Sequence, residues 1–166
     1  MAIALSALVT FVGPAPSASA SAGVAFCDVD PDTWYGTPVA WAKSTGITGG
    51  VTDTAFDPDA TTTRGQIITM LYRYVSWRDG AAPPSAPHGF VDVDPAAYYA
   101  SAVGWAAANG ITEGMTPDRF GPELRTTRAQ LAALLFRLED RGEVSSGGFD
   151  DVPAGAWFDA PVHWMW

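Results

Sequence analysis

The sequence predicts a mainly α protein made of repeated helix–loop–helix modules, and three observations carry that expectation. The phrase Phe26-Cys27-Asp28-Val29-Asp30-Pro31 returns as Phe90-Val91-Asp92-Val93-Asp94-Pro95 and, in a third version, as Phe149-Asp150-Asp151-Val152-Pro153. From Phe26 to Val75 the chain aligns with Phe90 to Glu139 without a gap. Finally, Thr63-Arg64-Gly65-Gln66 and Thr127-Arg128-Ala129-Gln130, 64 residues apart (127 − 63), each open an apolar run with helical spacing. Repetition at this period marks modules that stack, because a short helix pair carries more apolar stripe than it can bury alone.

The N-terminal run Ala2 to Val12 is apolar but too short to span a bilayer, and Ala-x-Ala sites follow at Ala18-Ser19-Ala20 and Ala20-Ser21-Ala22. Residues 1–22 therefore read as a secretory signal peptide, although they lack the usual Lys/Arg start, and no membrane insertion is expected once they are cleaved. The single cysteine, Cys27, excludes an intramolecular disulfide. Val91 and Asp150 stand at its repeat positions, and a lipid anchor there would want a smaller residue than Phe26 before it.

Module 1 covers residues 26–78. After the aromatic pair Trp34-Tyr35, a short helix is expected over Thr37 to Thr45, with Pro38 near its start and Gly46 just past its end. A turn-rich loop, Gly49 to Thr62, leads to a second helix in which Ile67, Ile68, Leu71, Tyr72 and Val75 share a face. Residues 79–89, rich in Pro and Ala, read as a linker. Module 2, residues 90–140, repeats the plan with Tyr98-Tyr99, a helix around Val103, Trp105 and Ala106, Gly110, and a helix carrying Leu131, Leu134, Leu135 and Leu138. A Gly/Ser-rich linker, 141–148, precedes a partial module 3, residues 149–166. There Trp157-Phe158 is the aromatic pair, Trp164 stands for Trp41, and His163 replaces Ala40 and Gly104. Because this module stops before its loop and second helix, the chain reads as a fragment.

Thr followed three residues later by Gln is a capping box: the hydroxyl accepts from an early helix N–H, and the Gln side chain accepts from the Thr N–H. This explains Thr63, Gln66, Thr127 and Gln130 by structure. Arg64 and Arg128 remain unexplained, since a cation at a first helical position opposes the macrodipole. They are either recruited for binding or simply solvated.

Composition excludes several classes. A chain of 166 residues that is 48% hydrophobic can build a core, while a net charge of −9 gives no bulk attraction for nucleic acid or an anionic membrane. The acidic run Asp28, Asp30, Asp32 fails as a calcium loop, which needs Gly at position six and an acid at twelve where Thr33 and Val39 stand. His88 and His163 have no nucleophile or carboxylate pair at catalytic spacing. No catalytic residue, metal or cofactor is expected.

Phe-x-Asp-Val, the aromatic pair, Gly-Ile-Thr-x-Gly, Phe-x-Pro and Thr-Arg-x-Gln, in this order and in register, resemble the S-layer homology module over Phe26 to Trp166. The resemblance implies a pseudo-threefold, mostly helical unit that anchors an exported protein to secondary cell-wall polysaccharide, often pyruvylated, in grooves between modules. It implies a secreted protein of the cell wall or cell surface. Its motif Ile-Thr-Arg-Ala-Glu maps onto Thr62 to Gln66 and Thr126 to Gln130, and its loop Gly-Tyr-Pro-Asp-Gly-Thr-Phe onto Gly50 to Phe56. The glycan-binding residues so implied are Arg64, Arg128, Thr63, Thr127, Gln66, Gln130 and Asp53, with Trp34, Trp41 and Trp105 offering apolar surface to sugar. Core packing is the simpler reading of any one of these Trp residues.

Departures from the family pattern are specific. Gln replaces Glu in both caps, Pro117 takes the place of the loop acid in module 2 with Asp118 one place later, and Gly65 replaces Ala. In a helix that last change costs about 0.5–1 kcal/mol. Replacing either motif Arg by Ala is expected to weaken wall binding with little effect on folding. Two further readings stay open: a structural, protein-binding repeat array, and the anchoring part of a truncated extracellular enzyme. Apolar surface left open by the incomplete third module is expected to promote self-association.

Overall fold

The structure, a computed structural model, describes residues 26–140, 142 and 149–165. The stretch expected to be a signal peptide and all of the expected second linker except Gly142 lie outside the described residues, as does Trp166. Among the described residues there are five helices: α1 (Gly36–Ser44), α2 (Arg64–Asp79), α3 (Ala100–Ala108), α4 (Arg128–Leu138) and α5 (Asp159–Trp164). No strand is formed among them, only isolated bridges such as Thr63 with Arg125.

The first helix of each module begins directly after the aromatic pair, one residue earlier in α1 than the sequence suggests. Pro38 consequently sits third in α1 instead of second. This is tolerated because the first intrahelical bond runs from the Val39 N–H to the Tyr35 carbonyl, so no donor is needed at Pro38. Gly46 and Gly110 end these helices with φ of 75° and 68°, in the left-handed region.

Both capping boxes form. Thr63 Oγ1 accepts from the Gln66 N–H at 3.3 Å and Gln66 Oε1 from the Thr63 N–H at 2.8 Å. At Thr127 and Gln130 the two distances are 3.2 and 3.0 Å.

Packing crosses module boundaries. The second helix of one module lies on the first helix of the next, α2 on α3 and α4 on α5. Tyr72 of α2 meets Trp105 of α3 edge-on at 5.5 Å, and Phe136 of α4 meets Trp164 of α5 in the same way at 6.0 Å. Ile68, Leu71 and Val75 join Val103, Trp105, Ala106, Phe120 and Leu134 in one core. The apolar stripe of α2 is thus buried by the following module, as stacking of incomplete units requires. In α1, Trp41 instead meets Trp77 of its own module, at 5.2 Å.

The stretch 79–89 does more than connect. The Tyr72 hydroxyl donates to the Pro83 carbonyl at 2.9 Å, and the backbone passes so close to α3 that a Cβ at Gly104 would overlap the Ala86 carbonyl. In module 3, His163 and Asp159 form a buried pair one turn apart, Nδ1 to Oδ1 2.8 Å.

The helix-weakening role expected of Gly65 is outweighed by a contact that sequence does not show. A Cβ there would stand 2.9 Å from the Tyr99 ring and 3.3 Å from the Pro122 carbonyl, both in module 2. Gly65→Ala should therefore destabilise the protein by about 1–3 kcal/mol through overpacking, despite the helix propensity gained. Thr63→Ala should cost about 0.5–2 kcal/mol through loss of the cap. Denaturant melts of both variants check these outcomes, and a Gly65→Ala protein as stable as the parent would contradict the close approach.

Candidate functional site

The seam between modules 1 and 2 is built at the N-terminus of α2. Four N–H groups there lack helical partners in principle. Here the Arg64 N–H donates to the Leu124 carbonyl and the Gly65 N–H to the Pro122 carbonyl, each at 2.9 Å, while the Gln66 N–H is taken by the cap. In return the Thr126 N–H donates to the Thr62 carbonyl at 3.0 Å. The loop of module 2 therefore completes the helix of module 1.

Arg64 follows its backbone into this seam. Its side chain donates from Nε to the Phe120 carbonyl at 3.0 Å and from Nη2 to Thr112 Oγ1 at 3.4 Å, and its guanidinium lies 4.8 Å from the Phe120 ring centre. It is 5% exposed, whereas Arg128, in the same motif, is exposed. Burial pushes the Arg64 pKa down, and the nearby charge of Arg137 adds to the effect. The expectation that either arginine could be removed with little effect on folding is thus corrected for Arg64, which is part of the seam.

A groove of about 310 Å³ opens beside it. Arg64 of module 1 borders it, Thr112, Glu113 and Met115 form one wall, Gln130 and Arg137 of α4 another, and Trp157 of module 3 closes the end. Three modules meet in one cleft. Of the residues expected to bind glycan, the groove brings together Arg64 and Gln130. Gln130 uses its Oε1 for the cap, and its Nε2 lies 4.0 Å from the Met115 sulfur.

The others lie elsewhere. Trp34 is 89% exposed on module 1, and Trp105 is only 4% exposed in the core, so it offers no face to a sugar in this arrangement. Trp41 packs on Trp77. Asp53 is exposed in its loop, where its backbone carbonyl accepts from Lys43 Nζ at 2.8 Å. Thr63, Thr127 and Gln66 act as cap residues. Sequence reasoning missed Arg137, Glu113 and Trp157 as groove residues. For Arg137 a signal existed, because Arg73 stands 64 residues before it, outside the named motifs.

A larger recess of about 540 Å³ lies near the C-terminal ends of α2, α3 and α4, bordered by Arg78, Asp79, Trp105 and Arg137. One of its two cations, Arg78, is already compensated. Arg78 Nε is 2.7 Å from Asp79 Oδ1, and its Nη1 is 3.8 Å from Glu139 Oε1. Among the described residues no cluster of His, Cys, Asp or Glu could hold a metal ion. Nor is any of their helices long and apolar enough to cross a membrane.

The loops that shape the seam are held by the acid of the repeated Phe-x-Asp-Val phrase, a second feature missed from sequence. Asp28 accepts from the Phe56 N–H at 2.9 Å and the Asp57 N–H at 2.7 Å. Asp92 accepts from Phe120 at 2.8 Å and Gly121 at 2.9 Å. These N–H groups hold the Asp28 carboxyl below its ordinary value. For Asp92, burial pushes upward, but the Phe120 and Gly121 N–H groups outweigh it and the result is again a lowered value.

Fold and groove together define a class of protein: short helical modules that stack and form a groove where they meet. The S-layer homology domain profile matches residues 25–68 and 89–132, and the chain belongs to that family. It is similar to a cell surface protein of Thermoanaerobacter kivui, 31% identical over 113 residues, covering 68% of this chain and 15% of that protein. It is also similar to a cellulosome-anchoring protein of Acetivibrio thermocellus, 24% identical over 144 residues, covering 85% of this chain and 32% of that protein. An endo-1,4-beta-xylanase A of Thermoanaerobacterium saccharolyticum shares 30% identity over 60% of this chain and 8% of the enzyme. The chain thus spans less than a third of the length of these relatives, and it works at the cell surface.

Two outcomes follow. Arg64→Ala should lower the unfolding free energy by about 1.5–3 kcal/mol, since it removes charge-assisted bonds and strands the Phe120 carbonyl, whereas Arg128→Ala should stay within about 0.5 kcal/mol of the parent. Parallel thermal melts decide it, and equal melting of the two variants would refute the asymmetry. The depressed Asp28 and Asp92 carboxyls contribute stability that is fully present above their ordinary pKa of 3.8 and is lost as pH falls through the lower folded values. Acid titration followed by near-UV circular dichroism should show that loss below pH 3.8, and the step should shrink in Asp92→Asn.

Proposed function

We propose that this chain anchors an exported protein non-covalently to the bacterial cell wall by binding secondary cell-wall polysaccharide in the groove where modules 1, 2 and 3 meet. The observation that carries this reading is that one groove is lined by a buried arginine, Arg64, and by an aromatic that is 60% exposed, Trp157. A planar cation donates parallel hydrogen bonds to a carboxylate, and the ring face supports the apolar side of a sugar. A pyruvyl ketal carries both on one residue. Arg128 and Asp53 remain candidates for contacts outside this groove, as does the exposed Trp34.

Further support comes from the names of the relatives, one a cellulosome-anchoring protein and others enzymes that this chain covers only in small part. The chain is then the anchoring portion, 26–78, 90–140 and 149–166 being its modules and the chemistry of any larger protein lying elsewhere.

Wall sedimentation tests the reading. Binding should survive protease treatment of the walls and disappear after chemical extraction of the polysaccharide; loss on protease treatment would favour a protein receptor. Trp157→Ala should weaken binding by roughly 1–2 kcal/mol, the scale of an aromatic face buried by ligand, with melting unchanged. Undiminished wall binding by that variant would count against this groove.

A further inference from the structure

The first helices of modules 1 and 3 carry the same short phrase. Pro38-Val39-Ala40-Trp41 in α1 and Pro161-Val162-His163-Trp164 in α5 differ only at the third place, whereas α3 has Ala102-Val103-Gly104-Trp105. In α3 and α5 the tryptophan is met by an aromatic from the second helix of the preceding module, Tyr72 on Trp105 and Phe136 on Trp164. Tyr72 and Phe136 stand at the same 64-residue offset (136 − 72), so the second helices share one docking face and the first helices one receiving face. Nothing in these residue types directs α4 to α5 in preference to α1.

What distinguishes α1 is that its tryptophan is already covered from within module 1. Helix α2 has 16 residues against 11 in α4, and its additional length, Val75 to Asp79, brings Trp77 onto α1. The Trp77 ring meets Trp41 edge-on at 5.2 Å, with 90° between the planes, and lies 6.3 Å from the Tyr74 ring. This extension is held in place. Ser76 Oγ donates to the Tyr72 carbonyl at 2.8 Å, Arg78 pairs with Asp79 and reaches Glu139 of module 2, and Gly80 ends the helix at a φ of 72°. At the repeat offset from Trp77 stands Arg141, so the sequence does not supply this aromatic a second time.

We propose that Trp77 is a specificity element for module pairing: by occupying the Trp41 face of α1, it prevents α4 of a second copy of this chain from docking there in place of its own α5. The contact it blocks is that of Phe136 with Trp164, remade between copies as Phe136 with Trp41. Such an interface is heterologous, α4 of one copy against α1 of the next, and it would extend into chains of molecules instead of closing as a pair. Mispairing is a hazard of any protein built from like modules. Where the attractive faces are alike, discrimination has to come from an element that obstructs the wrong partner. The helix of α5 is only 6 residues long, so α4 has little to give up in exchanging it for α1.

Sedimentation velocity of the 166-residue chain over a concentration series tests the proposal. Trp77→Ala should associate about tenfold more tightly than the parent, the scale of one uncovered aromatic contact, whereas Trp77→Phe, which keeps a ring over Trp41, should sediment as the parent does. Head-to-tail geometry makes a sharper demand. Trp77→Ala/Phe136→Ala can receive but not donate, so by itself it should associate no more than the parent. Mixed with the parent, which can donate but not receive, it should form a complex that stops at one copy of each. A Trp77→Ala chain no more associated than the parent would overturn the proposal. So would self-association of the double variant equal to that of Trp77→Ala, because the uncovered surface would then adhere without selecting α4. If Trp77→Ala loses its near-UV circular dichroism, Trp77→Leu, which keeps an apolar side chain in α2 and removes the ring, carries the same comparison, and its failure to associate more tightly than the parent overturns the proposal equally.

Discussion

Two backbone hydrogen bonds from the start of α2 to the loop of module 2 determine much of what surrounds them. The Arg64 and Gly65 N–H groups have no partner in their own helix, and burying them unpaired would cost about 1–3 kcal/mol each. Leu124 and Pro122 supply the carbonyls. Once those bonds are made, Gly65 has to lie against Tyr99, Arg64 has to run along the loop to Phe120, and the loop itself has to keep the shape that Asp92 imposes. The groove beside Trp157 is bordered by the same loop region and the same arginine, so its geometry inherits the rigidity of the seam.

Electrostatics makes the proposed glycan groove compatible with an acidic chain. At a Debye length of about 8 Å, the diffuse negative charge of the surface is screened, whereas charges in a partly closed cleft interact at short range with less water between them. Arg64 pays for its burial with bonds to neutral oxygens and an aromatic face instead of a carboxylate, which leaves its charge uncancelled. A carboxylate partner in the protein would have stabilised the empty groove and closed it to ligands.

Features with short sequence reach were legible before the structure. Thr63 and Gln66 are three residues apart and form a capping box by local geometry, Gly46 and Gly110 end their helices as their type suggests, and the 64-residue offset locates both copies. Features that join distant residues were not. The Arg64 side chain meets Phe120 across 56 positions, and Asp28 meets Phe56 across 28. Nothing in a single motif distinguishes Arg64 from Arg128, because the difference lies in which loop covers the helix start. Trp105 stayed open between sugar and core for a similar reason: the residue type alone does not decide, and its burial against Tyr72 of the neighbouring module is a contact no motif records. The repeated Asp and the Arg73/Arg137 pair were visible as identities at one offset, but their partners are backbone groups or spatial neighbours that leave no pattern of residue types.

Completing a helix with the next module's loop also gives the chain an order in time. A chain appearing from its N-terminus presents Arg64 well before Leu124, so α2 can form its capping box at once but must wait for its remaining acceptors. Local winding comes first and locking second, with water serving the open N–H groups in between. Module 1 is therefore held in a provisional state until module 2 arrives. For a polypeptide threaded outward through a membrane, such deferred closure keeps the leading segment pliable during passage and commits it only when enough chain has emerged to finish the joint.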